Sequence, residues 1–475
     1  MSTTQGPRNK QGILPFVIAL RPDEQTTARA GLPLIVEALR AVRLDEVVLE
    51  KLGAVQRRRD FTAQDKIEAL ALLIASGGDR VEDIRILSED KGLLRLLGGA
   101  LPSPDALLDF LAAFDDPSVW TEQPQDEASF VPEDSAALRA LDEVLVQSVA
   151  RIADAQSHVA TIDHDGTIIE SHKQGAKLAY EGTRGFQPLL AVWVEQDLIV
   201  ADEFRDGNVP GGKDPLSSVR AAFAALPAHV TERYFRGDTA AYYEPLLKYL
   251  VQETIQFAIG ADMTEPLRKQ CEALDEAQWS WLDLRDREEV HVGEIEFTPG
   301  NWTKNAEPLR YVALRFTPRQ GELFSSRARR FLAVVSNRKE LSPLELVRWY
   351  FGKAGTIEHV HRVLKDELGA GVLPSQRYGA NAAWLRINCL VFNLLTLLRR
   401  RALPARLRRA RPKRLRFECF TLPARLSIHQ REITLGVSAS EERTAELIAA
   451  RIVLRELREA TAASAKRAPA SVRTN

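Results

Sequence analysis

The sequence has little cysteine, no long apolar run and almost no net charge. Its three cysteines, Cys271, Cys389 and Cys419, are widely separated and odd in number, which argues against a disulfide framework and against a zinc site. No apolar stretch approaches the roughly 18–20 residues that span a bilayer, and the run Ile13–Leu20 lacks the flanks of a signal peptide. These absences predict an intracellular protein with no membrane partner. Its 475 residues are enough for two or three domains.

The formal net charge of −1 hides an uneven distribution of charge. Residues 40–155 are rich in acidic side chains, whereas Arg399–Arg416 contains none. Such a basic segment is an electrostatic footprint for phosphates, although a solvated helix end has the same composition. We therefore expect this segment to contact nucleic acid, with a solvated surface as the alternative.

The apolar pattern changes after about residue 135. From Leu32 to Phe114 apolar residues recur at helical spacing, and residues 115–135 have the composition of a linker. Ser103 is predicted to cap one of these helices, and Ser342 to cap a later helix with Pro343 at its first position. Short β-branched and aromatic runs then alternate with helical stretches. They predict strands at Val159–Asp163, Pro188–Val194 and Leu198–Phe204, a helix at Asp214–Leu226, a strand at Val230–Phe235, a helix at Ala240–Val251 and a strand at Ile255–Ala261. The order β-β-β-α-β-α-β resembles the ribonuclease H-like fold, in which the first and fourth strands are neighbours.

The predicted fold class is therefore α+β with several domains. A helical N-terminal domain precedes a ribonuclease H-like α/β catalytic core, whose mixed five-stranded sheet is interrupted by a β-rich insertion, and a basic C-terminal tail follows. The predicted boundaries are a flexible arm at 1–25, a helical DNA-binding or association domain at 26–120, a linker and leading helix at 121–150, the first part of the core at 151–274, the insertion at 275–327, the second part of the core at 328–400 and the basic region at 401–475.

Three carboxylates stand in distinct local settings. Asp165 and Asp238 each follow a β-prone run, and Glu358 opens a helix-like run. Such groups repel one another when they meet, unless a divalent cation lies between them, and oxygen-only ligands suit Mg²⁺ or Mn²⁺. Asp163 lies two residues before Asp165 and faces the same side of a strand, so either can be the first ligand.

On a helix, Glu358 shares one face with three basic or polar residues, His361, Arg362 and Lys365, at spacings of three, four and seven. A carboxylate with cations one and two turns further along can hold a metal while the cations bind phosphate oxygens. The alternative is a surface helix with ordinary ion pairs.

These motifs resemble those of the DDE transposases of bacterial insertion sequences, in the branch with the signature Tyr-x2-Arg-x3-Glu-x6-Lys. The first motif is similar to Ile162–Thr167, the second to Arg236–Ala240 and the third to Glu358–Lys365. The resemblance places the first ligand directly before a small residue and Thr, which favours Asp165. Tyr350 and Lys353 stand where Tyr and Arg are expected, but Lys replaces Arg and one additional residue precedes Glu358.

The resemblance also implies roles for individual residues. Asp165, Asp238 and Glu358 would hold two Mg²⁺ (or Mn²⁺) ions for an in-line displacement. Three tryptophans of the insertion, Trp279, Trp281 and Trp302, are candidates by position to stack on a flipped base, and the alternative is that they pack a small β core. The implied DNA or phosphate ligands are Lys365, Arg362, His361, Lys353, Tyr350, Arg236 and Arg184.

The implied function is cleavage at the ends of an insertion sequence and strand transfer into target DNA. The expected partners are double-stranded DNA, as terminal inverted repeats and as target, and a second copy of the chain in a homodimeric synaptic complex. The expected location is the bacterial cytoplasm, at the nucleoid. Two alternatives remain: a ribonuclease H-like endonuclease that transfers no strand, and a domesticated DNA-binding protein without catalysis.

Overall fold

The computed structural model describes residues 25–55, 61–123, 129–285, 288–300, 302, 308–318, 330–429 and 432–467. The predicted flexible arm, apart from residue 25, lies outside these ranges. The helices are α1 Leu34–Ala41, α2 Leu44–Leu52, α3 Ala63–Ser76, α4 Ile84–Ser88, α5 Lys91–Leu97, α6 Pro104–Ala112, α7 Ala136–Ile152, α8 Leu216–Ala224, α9 Glu244–Gln252, α10 Glu265–Glu272, α11 Pro343–Phe351, α12 Ile357–Glu367, α13 Tyr378–Leu397, α14 Pro412–Leu415 and α15 Glu441–Arg467.

The strands follow the predicted order and lie within a few residues of the predicted positions. They are β1 Thr26–Thr27, β2 Val159–Gly166, β3 Ile169–Glu170, β4 Lys177–Leu178, β5 Arg184–Phe186, β6 Leu189–Trp193, β7 Leu198–Glu203, β8 Glu232–Gly237, β9 Gln256–Ala261, β10 Ser280–Arg285, β11 Glu288–Ile295, β12 Arg310–Pro318, β13 Arg330–Ser336, β14 Ala424–His429 and β15 Glu432–Val437. β2, β6, β7, β8 and β9, with α8 and α9 between the later ones, correspond to the predicted β-β-β-α-β-α-β series.

One mixed sheet organises the centre of the molecule. Its strand order is β10-β11-β12-β13-β9-β8-β2-β6-β7. β8 pairs in parallel with β2 on one side and with β9 on the other, and the remaining neighbours are antiparallel. The first and fourth strands of the predicted series, β2 and β8, are therefore neighbours.

The prediction of a five-stranded sheet with a separate inserted subdomain is wrong. β13 pairs with β9, and β12, β11 and β10 follow it outward, so the insertion lengthens the central sheet to nine strands. The sequence showed strand-forming runs in this region, but the hydrophobic pattern of a strand does not specify the edge with which it pairs.

Local capping explains where two predicted helices begin. Ser103 accepts a hydrogen bond from the Ala106 N–H and begins α6, as the sequence predicted. Ser342 forms a reciprocal capping box with Glu345 and begins α11, with Pro343 in the first turn. The second cap matters for the site because α11 leads directly into the segment that carries Lys353 and Glu358.

α13 is the central helix, and it corrects the statement that no apolar segment is long enough to cross a bilayer. Tyr378–Ala402 meets that criterion by length and composition, but its apolar window is completely buried. α13 packs against α7, β7, α3 and α6. α13 is therefore a buried core helix of this fold. One continuous apolar core includes residues from Leu32 in the N-terminal helical part to Leu454 in α15.

Candidate active site

The ends of two parallel strands bring Asp165 and Asp238 together. The last residue pair between β2 and β8 is His164 with Gly237, and an aspartate follows in each strand. Burial raises the pKa of Asp238, and the negative charge of Asp165 raises it further. The two carboxylates are therefore close enough for each charge to affect the other, as expected for aspartates at the ends of neighbouring strands.

Glu358 reaches the same region from a helix. α12 packs against β2, and Glu358 lies exposed in its first turn. A shallow cavity of about 320 Å³ is lined by Asp165, Glu358, His361, Lys365 and four neighbours. Asp165 is thus the common member, because it is close to Asp238 on one side and shares this cavity with Glu358 on the other.

The three carboxylates do not form a closed ligand set in this structure. Among the described residues, no group of three or more His, Cys, Asp or Glu side chains is arranged to hold a metal ion. Instead, the ammonium of Lys353 lies 2.9 Å from a carboxylate oxygen of Asp165. The donors still fit a divalent cation in kind, because they are all oxygens and because neighbouring negative charges need a positive charge between them. Lys353 supplies that positive charge here.

Asp163, the alternative first ligand, has a different environment. Its carboxylate is fully buried and accepts two hydrogen bonds from the Arg236 guanidinium, at 2.6 and 2.9 Å. The Thr356 hydroxyl also donates to it. The third donor nitrogen of Arg236 binds the Trp349 carbonyl at 2.7 Å. Asp163 is therefore committed to an internal ion pair, and the structure favours Asp165 as the ligand.

The same ion pair corrects the prediction that Arg236 binds phosphate. The guanidinium is buried, and all three of its nitrogens donate within the protein. Arg184, another predicted phosphate ligand, directs its guanidinium to the Ala176 carbonyl at 2.7 Å. It braces the loop before β5, while its side chain remains partly accessible.

The predicted basic face of α12 does line the cavity. Arg362 is exposed, and Lys365 donates a hydrogen bond of 3.3 Å to the Ile168 carbonyl. His361 is buried, and neither ring nitrogen has a hydrogen-bond partner in the part of the chain that the structure describes. Burial lowers the pKa of His361 to about 4, so the ring is neutral at physiological pH.

Tyr350 lies close to the aspartates. Burial raises the pKa of its hydroxyl, and the negative charges of Asp238 and Asp165 raise it further. The hydroxyl also lies next to Gly260 on β9, where an added Cβ would come within 2.9 Å of it. Tyr350 is therefore a neutral donor beside the two carboxylates.

The predicted base-stacking tryptophans fall into two groups. Trp279 and Trp302 are more than nine-tenths buried and belong to the core, so the packing alternative describes them. Trp281 on β10 is 58 % exposed. Of the three candidates, only Trp281 presents a ring face to solvent.

Two residues that support the site were missed in the sequence. Thr356, at the start of α12, links that helix to Asp163. Arg205 is fully buried after β7 and donates to the Lys213 carbonyl at 2.7 Å, which ties the following loop to α8. Thr356 binds a partner 193 residues away, and Arg205 binds the side chain of Glu203 as well as backbone carbonyls of the following loop.

Comparison with known proteins agrees with this geometry. The sequence matches the family described as "Transposase DDE domain group 1" over residues 21–459. The chain is similar to a solved piggyBac transposase in a synaptic complex with hairpin DNA, at 11 % sequence identity and a TM-score of 0.46, over 94 % of this chain and 84 % of that chain. A comparison with curated proteins found no match. The family match covers most of the sequence, and the chain belongs to the DDE transposases, enzymes of DNA transposition.

Proposed function

We propose that this transposase cleaves DNA at the ends of a bacterial insertion sequence and transfers the freed ends into target DNA, using Asp165, Asp238 and Glu358 as its catalytic carboxylates. The observation that carries the assignment is the meeting of Asp165 with Asp238 at the ends of β2 and β8, with Glu358 across the adjoining cavity. The strand order β7-β6-β2-β8-β9 supports a ribonuclease H-like core.

The three carboxylates would hold Mg²⁺ or Mn²⁺, and we propose two ions per site. When bound, such ions supply charge stabilisation and activation of a hydroxyl or water for in-line displacement at phosphorus. The contribution of the chain is to bring oxygen ligands together on a rigid strand pair and to hold them beside neutral donors. Tyr350 and His361 are such donors, and neither adds charge to the cavity.

The cations around the cavity are suited to hold the DNA. Arg362 and Lys365 line it from α12, one and two turns beyond Glu358. Lys353, whose ammonium lies 2.9 Å from Asp165, would be within reach of a phosphate oxygen of DNA held at that carboxylate. We place the chain in the insertion-sequence branch with the Tyr, Arg, Glu and Lys signature on the match of Glu358 and Lys365, from which Lys353 departs in residue type and by one position.

The remaining parts of the proposal concern assembly and location. Two ends must be held together for transfer, and we propose that a homodimer of this chain does so on inverted repeats in the bacterial cytoplasm, at the nucleoid. Trp281, exposed at the edge strand β10, is the remaining candidate to stack on a displaced base.

The test uses a duplex that carries the inverted repeats flanking the gene. Asp238→Ala and Glu358→Ala should lower Mg²⁺-dependent cleavage by at least about a thousandfold, because each removes a carboxylate that would hold the divalent cations, while DNA binding persists. Asp262→Ala is the matched control, since Asp262 follows β9 as Asp238 follows β8 but is exposed. An active Asp238→Ala enzyme would overturn the assignment.

A second assay separates the transposase from its alternatives. A pre-cut end with a free 3′-hydroxyl is mixed with target plasmid, and joined products are scored. Joined products are expected. Hydrolysis alone would identify an endonuclease without strand transfer, and binding without cleavage would identify a domesticated DNA-binding protein.

A further inference from the structure

A second groove lies on the other side of α12 from the active-site cavity. Thr356, His359 and Val360 line it, whereas Glu358, His361, Arg362 and Lys365 line the cavity of the active site. With about 100° between successive helical residues, these two sets occupy opposite faces of α12. The groove has a volume of about 870 Å³, and its other walls come from α7, the turn between β6 and β7, and the arginine-rich segment.

Five arginines line this surface, which we name the arginine groove. They are Arg399, Arg400, Arg401, Arg408 and Arg409. The acidic residues that also line it are Asp154, Glu195 and Asp197. The lining therefore carries two more positive than negative charges.

Several arginines of the basic segment Arg399–Arg416 bind partners within the protein, so only part of the segment is available to nucleic acid. Arg399 pairs with Asp197 at 2.8 Å, and Arg416 donates to the Ala75 carbonyl at 2.9 Å. Three more pair with glutamates: Arg406 with Glu418 and Glu446, Arg411 with Glu367, and Arg414 with Glu418.

Three arginines of the groove remain available. Arg401, Arg408 and Arg409 are exposed, and none of their side chains forms a hydrogen bond or ion pair with the described residues. Arg400 beside them donates to the Gln196 carbonyl at 2.6 Å. Burial lowers the pKa of Arg400, the negative charges of Asp154 and Asp197 oppose that shift, and the positive charges of Arg401 and Arg408 add to it. The cations are thus crowded together, an arrangement that an anion stabilises.

The acidic residues of the groove form no ion pair with these three arginines among the described residues. Asp197 pairs with Arg399, and Glu195 accepts a hydrogen bond from the Thr161 N–H at 2.8 Å. Asp154 accepts one from the Gln156 N–H at 3.0 Å. Each carboxylate therefore has another partner, and the guanidinium groups face the open groove.

We infer that the arginine groove binds the phosphodiester backbone of the same DNA that enters the active site, so that α12 lies between two contacts to one duplex. This inference rests on the proposed function. A helix with its side chains is about 10–12 Å across, a distance that three or four base pairs cover at about 3.4 Å each. A duplex that reaches Glu358 is therefore long enough to reach the groove as well.

The test removes the three available charges together. Arg401→Ala/Arg408→Ala/Arg409→Ala is compared with Arg268→Ala/Arg455→Ala/Arg458→Ala, three exposed arginines outside the groove. The probe is a 40-base-pair duplex of arbitrary sequence, titrated without divalent cations over a range of salt. The slope of log affinity against log salt concentration should become less negative by about 2–3 in the groove variant. Each phosphate contact releases about 0.9 counterions, and the variant removes three such contacts. The control should change it by less than about 1.

Both variants should melt at the wild-type temperature, since the substituted side chains are exposed and those of Arg401, Arg408 and Arg409 form no ion pair with the described residues. Equal slopes in the groove variant and the wild type, or equal losses in both variants, would overturn the inference. If the groove variant kept the wild-type salt dependence of DNA binding but lost binding to an acidic peptide, the groove would instead be assigned to a protein partner. Cleavage of the inverted-repeat duplex by the wild type tests the proposed function separately, so that failure of the groove does not count against the active site.

Discussion

Asp163 and Asp165 are two residues apart on one strand, yet their carboxylates have different roles. Asp163 is fully buried and bound by Arg236 and Thr356. Asp165 is one-fifth exposed and has the ammonium of Lys353 as its partner. A carboxylate that is proposed to hold a divalent metal ion needs the partly exposed environment of Asp165. The buried bidentate pair of Asp163 cannot be separated without leaving a charge unpaired.

Neutralising these two aspartates should therefore have opposite consequences. Asp163→Asn should lower the free energy of unfolding by about 3 kcal/mol or more, because it leaves the Arg236 guanidinium buried without a counter-charge. Asp165→Asn should lower it by less than Asp163→Asn does, because Asp165 is one-fifth exposed and makes a single ion pair instead of a bidentate one, yet it should abolish cleavage. Urea unfolding and the cleavage assay measure the two effects. Similar destabilisation by both variants would contradict the division of roles.

At the scale of elements, a buried charge network joins α7 to α13. Arg386 on α13 pairs with Asp202 on β7 at 2.9 Å and with Asp134, just before α7, at 2.8 Å. Asp142 on α7 is more distant from Arg386, at 3.9 Å. Burial raises the pKa of Asp142 to about 6, against the attraction of Arg386, and the charges of Asp202 and Asp134 contribute to the rise.

This raised pKa predicts how one residue contributes to stability as pH changes. The folded pKa lies above the ordinary value of 3.8, so the folded state holds more protons than the unfolded state between about pH 4 and pH 6. The contribution of Asp142 to the free energy of unfolding of the wild type therefore decreases as the pH rises from about 4 through about 6. Asp142→Asn removes the dependence, and should gain about 1 kcal/mol relative to the wild type between pH 5 and pH 7.5, a value reduced because the side chain is 37 % exposed.

The measurement is urea unfolding of both proteins at the two pH values. Asp105→Asn, which removes an exposed carboxylate from α6, serves as the control for a general charge effect. A difference between Asp142→Asn and the wild type that stays the same at pH 5 and pH 7.5 would show that Asp142 is not protonated in the folded state in this range.

Local signals in the sequence predict much at this scale. The caps Ser103 and Ser342 and the strand runs of the core were identified because capping and period-two patterns involve residues close in the chain. Asp165 and Asp238 were identified because each directly follows such a run. The pairing of Asp163 with Arg236 was missed, since whether a strand arginine faces solvent or a buried aspartate depends on a neighbour 73 residues away. The pairing of β13 with β9 was missed for the same reason.

At the scale of the whole molecule, the helical N-terminal part and the part that carries the site share one interior. Arg151 on α7 donates to the carbonyls of Val42 and Arg43, at 3.1 and 2.8 Å. β1 near the start of the described chain pairs with β14 near its end. The linker-like composition of residues 115–135 predicts a domain boundary, but the apolar core is continuous across it.

A shared core predicts that both parts unfold in one transition. All seven tryptophans lie at Trp120 or later in the chain, so tryptophan fluorescence reports only on the later part, whereas far-ultraviolet circular dichroism also includes α1–α6. Both signals should give the same urea midpoint and the same dependence on urea, as two-state unfolding requires. A loss of helical signal before the fluorescence change would show an independent N-terminal domain. The expected coincidence follows from the packing of α3 and α6 directly on α13, because the exposed face of α13 would be almost wholly apolar if the N-terminal helices left it.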